Sequence, residues 1–245
     1  MLLASGGLLF AFEHSTVAGK IVLAALAIAS IFSWSVMLTK MRVIRFARKQ
    51  TVRFLEVFRQ DRQPLRLFEK NAHFSGAPIF NVYRAGCQEL VFQMLGSAEV
   101  DETFRARLGA AEKITPAQMN AVRAAMERAV GETALELESQ MILLATAVSG
   151  APFLGLLGTV WGVMDTFTDV AVAGSPNLTT MAPGVSGALI TTVTALCVAI
   201  PAMFGYNFLV TSIRGIVVQM DNFAAELASE FDHRYVEHNA REFAR

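Results

Sequence analysis

From Ser139 to Met164, and again from Val170 to Ser212, the sequence carries no charged side chain. A third apolar stretch runs from Val17 to Leu38, with Lys20 near its start. Stretches of this kind constrain the solvent before they constrain the fold. About 20 mainly apolar residues in helical form cross the hydrocarbon core of a bilayer. In that medium a helix satisfies all of its own peptide groups, which an irregular chain cannot do. The composition agrees: 53% of the 245 residues are hydrophobic and only 17% are charged, too apolar a balance for a soluble domain of this length. The sequence therefore predicts an all-α integral membrane protein with spans at 17–38, 141–167 and 183–213. Lys20 can snorkel its ammonium to the interface.

Basic residues near span ends set the orientation. After the first span come Lys40, Arg42, Arg45, Arg48, Lys49 and Arg53, with no acid before Glu56. Arg214 follows the third span. The 168–182 loop has no basic residue, and Asp165 and Asp169 stand beside it. The N-terminal segment 1–16 and the 168–182 loop are thus expected outside. The 39–140 segment and the 214–245 tail are expected in the cytoplasm. Gly174-Ser175-Pro176-Asn177 supplies turn chemistry between the second and third spans. The opening MLLASGGLLFAFEH lacks the basic n-region of a cleaved signal peptide, so it is expected to be retained. The basic cluster 40–53 fixes topology and touches anionic lipid. It is not the stripe that a nucleic-acid surface requires.

Helical periodicity fills the cytoplasmic parts. Thr115-Pro116 is a helix start, with threonine as N-cap and proline at the first position. Met119, Val122, Met126, Val130, Leu137 and Met141 then recur at helical spacing. No Gly-Pro stop interrupts them until Gly150-Ala151-Pro152, so one helix of about 50 residues, roughly 75 Å, is expected from Pro116 into the second span. Ile213, Ile216, Val217, Met220, Phe223, Leu227 and Phe231 form a second stripe beyond the third span. Spans two and three are therefore expected to extend as helices into the cytoplasm. Their stripes pack either on each other within one chain or on neighbouring copies.

Inside the membrane the sequence is unusual for its small and hydroxylated residues. In GLLGTVWG, Gly155, Gly158, Thr159 and Gly162 share one helix face. In the third span Gly184, Ala188, Thr191, Thr192, Ala195 and Ala199 form a similar face, with Ser186 and Thr194 nearby. Pro201 removes a backbone donor and is expected to kink or loosen that span. Faces of this type pack closely against each other, pack against a third helix, or line a wet path. No charged side chain lies in either apolar core. If an ion passes, the charge-bearing group must come from another chain.

Two of these motifs resemble the TolQ/ExbB/MotA family of ion-channel motor subunits, nearest to its three-span TolQ/ExbB branch. They are APFLGLLGTVWGVM (151–164) and APGVSGALITTVTALCVAIPAMFGYN (182–207). GAPIFNVYRAGCQEL (76–90) is a weaker match. The resemblance implies an inner-membrane, ring-forming subunit, five copies of which surround a dimer of a single-span partner similar to ExbD or TolR. That partner brings an aspartate in its membrane helix, and proton-motive ion flow past it drives work in the periplasm or at the outer membrane, such as nutrient or biopolymer transport. By motif, Thr159 and Thr192 face the central path. Thr191, Gly187, Gly155 and Gly162 are expected to contact the ion or the partner helix, and Asp165 to mark the outer mouth. The family pattern usually places glutamate where this chain has Gly187.

Two function classes follow: an ion-driven motor subunit, or a non-conducting oligomeric scaffold whose glycine faces only pack helices. An enzyme is not expected, since the sequence offers no nucleophile–base set, metal cluster or phosphate loop. No cofactor is expected. His14, His73, His233 and His238 lack metal-ligand spacing, and Cys87 and Cys197 lie in unrelated segments.

Overall fold

The structure, a computed structural model, describes residues 10–61, 63–98, 103–174 and 177–237. Its helices are α1 (Val17–Gln60), α2 (Arg66–Glu69), α3 (Pro78–Leu95), α4 (Phe104–Ala110), α5 (Pro116–Glu138), α6 (Met141–Ala173) and α7 (Leu178–Tyr235). Three of them, α1, α6 and α7, are long and apolar enough to cross a membrane. The chain divides into two compact units, Met1–Met41 with Gln140–Val210 and Arg42–Ser139 with Thr211–Arg245. Ser175 and Pro176 of the expected turn, and His238, lie outside the described residues. Gly174, which closes α6, has φ 67°, a left-handed conformation that glycine adopts without penalty.

The first unit contains the apolar parts of α1, α6 and α7. Val22 and Leu26 of α1 bury against Ala151 of α6 and Ala195, Val198 and Ala199 of α7, with Leu154 alongside. Small residues carry most of this core. The large ones point outward: Ile21, Ile28, Ile31 and Phe32 on α1, Phe153, Leu156 and Val160 on α6, and Val193, Ile200 and Phe204 on α7 are exposed. That is the inverse of a water-soluble bundle and suits a hydrocarbon solvent. α7 passes through Pro183 and Pro201 as one helix of 58 residues. Pro201 leaves the carbonyl of Cys197 without its usual amide donor.

In the second unit, an aromatic cluster centres on Phe54. Its ring lies 5.3–5.8 Å from those of Phe58, Phe74, Phe80, Tyr83 and Phe223. Centroid separations of that size are favourable for tilted and edge-on pairs. The Tyr83 hydroxyl donates to the Pro64 carbonyl at 2.7 Å and accepts the Phe68 amide at 2.9 Å, pinning α2 and the turn that leads into it to α3. α3 starts with Pro78 and ends at Gly96 in the left-handed region. Gly86 on α3 admits Met126 of α5 and Leu227 of α7, and the Arg123–Asp232 ion pair at 3.6 Å also joins α5 to α7. The apolar stripes of α5 and of the far part of α7 therefore meet within one chain. A parallel bridge ties the ends together: the Ile114 amide donates to Tyr235 and the Glu237 amide to Ile114, at 2.8 and 3.0 Å.

The helix expected to run unbroken from Pro116 into the second span is in fact two. Its start is as expected: Thr115 and Gln118 form a full capping box. It ends at Glu138. Ser139 has ψ 144°, and Gln140 has φ 65°. The physical reason lies in the last turn, which holds Glu136 and Glu138 and no basic residue, so its acids oppose the helix dipole. The Ser139 hydroxyl and amide both donate to the Glu136 carbonyl, at 2.7 and 3.3 Å, closing the last turn at the break. Gly150-Ala151-Pro152, which read as the stop, lies inside α6.

Candidate functional site

The glycine face of α6 meets the small face of α7 rung by rung. A Cβ on Gly155 would strike the Ala195 methyl and stand 3.0 Å from the Thr192 Cα and the Thr191 carbonyl. One on Gly158 would lie 2.7–3.0 Å from the Thr191 side chain, and one on Gly162 2.8 Å from the Ala188 methyl. At the fourth rung the roles reverse: Gly184 of α7 faces Thr166 of α6. Positions advance by three or four on α6 while they fall by three or four on α7, which is an antiparallel seam in a single register. Gly155, Gly158 and Gly162 are buried in it. Their surface is therefore used within the chain.

Three hydroxyls collect in the middle of this seam. Thr159 lies within hydrogen-bond distance of Thr192 and 3.3 Å from the Thr191 hydroxyl. The Gly155 carbonyl stands 3.0 Å from Thr159 Oγ1, 3.0 Å from Thr191 Oγ1 and 3.1 Å from Thr192 Oγ1. The Ala188 carbonyl stands 2.7 Å from Thr191 Oγ1 and 3.3 Å from Thr159 Oγ1. Thr191 is fully buried, whereas Thr159 and Thr192 are half-buried. The two expected path threonines thus form one hydroxyl pair at an accessible edge, and Thr191 sits behind them. Such a pair can accept from a donor, donate to a carboxylate, or coordinate a cation, without adding a charge of its own.

The remaining expected residues fall elsewhere. At Gly187 a Cβ would stand 2.7 Å from the His14 carbonyl oxygen and 2.9 Å from Ser15 Cα. The N-terminal turn covers this position, and a glutamate there would collide with backbone. Asp165 is half-buried in a groove of about 660 Å³ together with Thr16, Trp161, Thr168 and Asp169. Neither Thr159 nor Thr192 lines that groove, so the acid and the hydroxyl pair are not brought together. Among the described residues no group of His, Cys, Asp and Glu is arranged to hold a metal. Sequence reasoning missed the Thr166–Gly184 rung, although the continued spacing Gly155, Gly158, Gly162, Thr166 carries its signal. It also missed the contact of the His14–Ser15 backbone with α7, for which the sequence offers none.

Residues 95–222 match the family model described as MotA/TolQ/ExbB proton channel family. The chain is 30% identical over 228 residues to the biopolymer transport protein ExbB of Pseudomonas putida, covering 91% of this chain and 64% of that one. It is 30% identical over 220 residues to the Tol-Pal system protein TolQ of Haemophilus influenzae, covering 89% and 90%. A third relative, TolQ of Pseudomonas aeruginosa, is 32% identical over 203 residues, covering 80% and 79%. The chain spans just under two thirds of the Pseudomonas putida relative and most of the two TolQ proteins. With three apolar helices, a hydroxyl pair on the seam of two of them, and a family match over that same region, this chain belongs to the MotA/TolQ/ExbB proton channel family.

Proposed function

We propose that the chain is the ring-forming subunit of an ion-driven motor in the bacterial inner membrane, energising a periplasmic or outer-membrane process. In this reading five copies surround two copies of a single-span protein similar to ExbD or TolR, whose membrane aspartate carries the ion past Thr159 and Thr192. The spans are 17–38, 141–167 and 183–213. The 168–182 loop faces the periplasm, and the segments 39–140 and 214–245 face the cytoplasm. Each elementary charge moving down the membrane potential supplies about 2.3 kcal/mol per 100 mV.

The observation that carries this reading is the hydroxyl pair. Helix packing alone needs the glycines and alanines of the seam, and they already fill it. It does not need two hydroxyls at the accessible edge of a lipid-embedded helix pair. A titratable group supplied by a partner does.

The test is Thr159→Val with Thr192→Val, which keeps side-chain shape and removes both hydroxyls. Assembly with the single-span partner should persist. Proton flux into liposomes holding the complex should fall at least tenfold, as expected for loss of hydrogen bonds to a charged group. Undiminished flux would take from Thr159 and Thr192 the role assigned to them, and no flux from the unaltered complex would return the chain to the scaffold class.

A further inference from the structure

Three hydroxyl protons share this part of the seam, and the backbone has room for two. Thr159, Thr191 and Thr192 each bring one proton. The acceptors within reach are the carbonyls of Gly155 and Ala188. Each has two lone pairs, and one is already taken by the helical amide four residues on, that of Thr159 for Gly155 and that of Thr192 for Ala188. One lone pair per carbonyl remains.

Thr191 takes the first of these. Its 2.7 Å bond to Ala188 is the shortest of its contacts, and the 3.3 Å approach of Thr159 to the same oxygen competes poorly. Thr159 and Thr192, at 3.0 and 3.1 Å, are then left with a single vacancy on Gly155. One of them fills it. The other gives its proton to its neighbour or turns outward. Fully buried Thr191 cannot be the one that turns outward.

We propose that Thr191 is a positioning residue: by occupying the Ala188 carbonyl it keeps one proton of the Thr159–Thr192 pair off the backbone, held between the two hydroxyls, from where it can turn to the charged form of the group that docks there. The proposal rests on the motor reading, in which that group is a partner carboxylate. Remove the Thr191 hydroxyl and the count changes to two protons for two vacancies. Thr159 then satisfies Ala188, Thr192 satisfies Gly155, and the pair offers lone pairs only. Such a pair prefers a protonated carboxyl to a carboxylate. The carboxyl pKa rises, and the acid limb of the activity moves to higher pH.

The experiment measures proton flux against pH in liposomes holding the complex with its single-span partner. It compares the unaltered chain with Thr191→Val, Thr191→Ala, Thr191→Ser and the Thr159→Val/Thr192→Val double variant. Thr191→Val and Thr191→Ala should each move the acid limb up by about one pH unit, the scale of one hydrogen bond to a charged group. Thr191→Ser, which restores the proton, should return the limb to its original place. A limb unmoved in Val and Ala while the double variant abolishes flux would overturn the proposal and leave the motor reading standing. If the double variant keeps full flux, the hydroxyl pair has no part in the ion path and the proposal falls; if the unaltered complex carries no flux, the motor reading itself fails. Failure of both the Val and Ala chains to assemble would make Thr191 a packing residue and also overturn the proposal.

Discussion

At Gly155 there is no room for one more carbon, because a methyl would meet the Ala195 methyl and the α7 backbone, which cannot swing aside. At Gly150, on the same helix, a methyl would meet nothing within 4 Å. The same substitution therefore has opposite signs at the two sites. Gly155→Ala forces α6 and α7 apart and should cost about 1–3 kcal/mol, the range for overpacking. Gly150→Ala should be neutral or gain up to about 1 kcal/mol from helix propensity. Thermal unfolding in detergent reads both, and a matched loss at the two positions would remove the seam as the cause. Spacing put Thr159 on one face with Gly155, Gly158 and Gly162, because i+3 and i+4 positions share a side of a helix; that this face meets Thr192 is seen only in the structure. Nor could spacing place Thr191. Adjacent residues lie about 100° apart on a helix, and the sequence does not say which of two neighbouring threonines turns toward α6 and which toward the edge.

Three long apolar helices, the Thr115 cap and the apolar stripes of α5 and of the far part of α7 were legible because each rests on local periodicity or on a side chain reaching its own helix end. The break at Ser139–Gln140 was not. It arises from acids at a helix terminus and from one residue in the left-handed region, a weak local preference that competes with a strong apolar pattern. Two prolines misled in the opposite direction: Pro152 and Pro183 sit inside helices, as Pro201 was expected to, since neighbouring helices in a membrane can re-satisfy freed backbone groups. The packing of α3 was also hidden. Burial holds the Cys87 thiol well above its ordinary value of 9.0, and Tyr83 and Tyr235 are raised mainly by the same desolvation. As pH rises past those ordinary values, the unfolded chain releases protons that the folded chain retains, so stability should fall on the alkaline side and be fully present below about pH 9. Cys87 should resist maleimide at pH 7.5 and react once the second unit opens. Rapid labelling of native Cys87, scored in a Cys197→Ala background, would contradict the buried α3 core.

At the scale of the molecule, the three apolar helices leave their large side chains outside and their small ones inside, so lipid can cover α1 and the outer flanks of α6 and α7. It covers the hydroxyl pair poorly, because exposed polar edges are costly in hydrocarbon. In the proposed assembly protein lies there. A copy of this chain could cover the edge, but its second and third spans would bring no charge, since Ser139–Met164 and Val170–Ser212 carry none, and its first span would bring only the cation Lys20. In the proposed motor the carboxylate that carries the ion comes from a second kind of chain. Native mass spectrometry of the membrane complex, co-expressed with a short single-span protein bearing a membrane aspartate, decides between the two coverings. Five copies with two partner chains is the expected mass, and the Thr159→Val/Thr192→Val complex should retain it while losing flux. A ring of this chain alone, closed on itself with no partner bound, would mean that the hydroxyl edge is a contact between copies. The scaffold class would then account for the same seam without any ion.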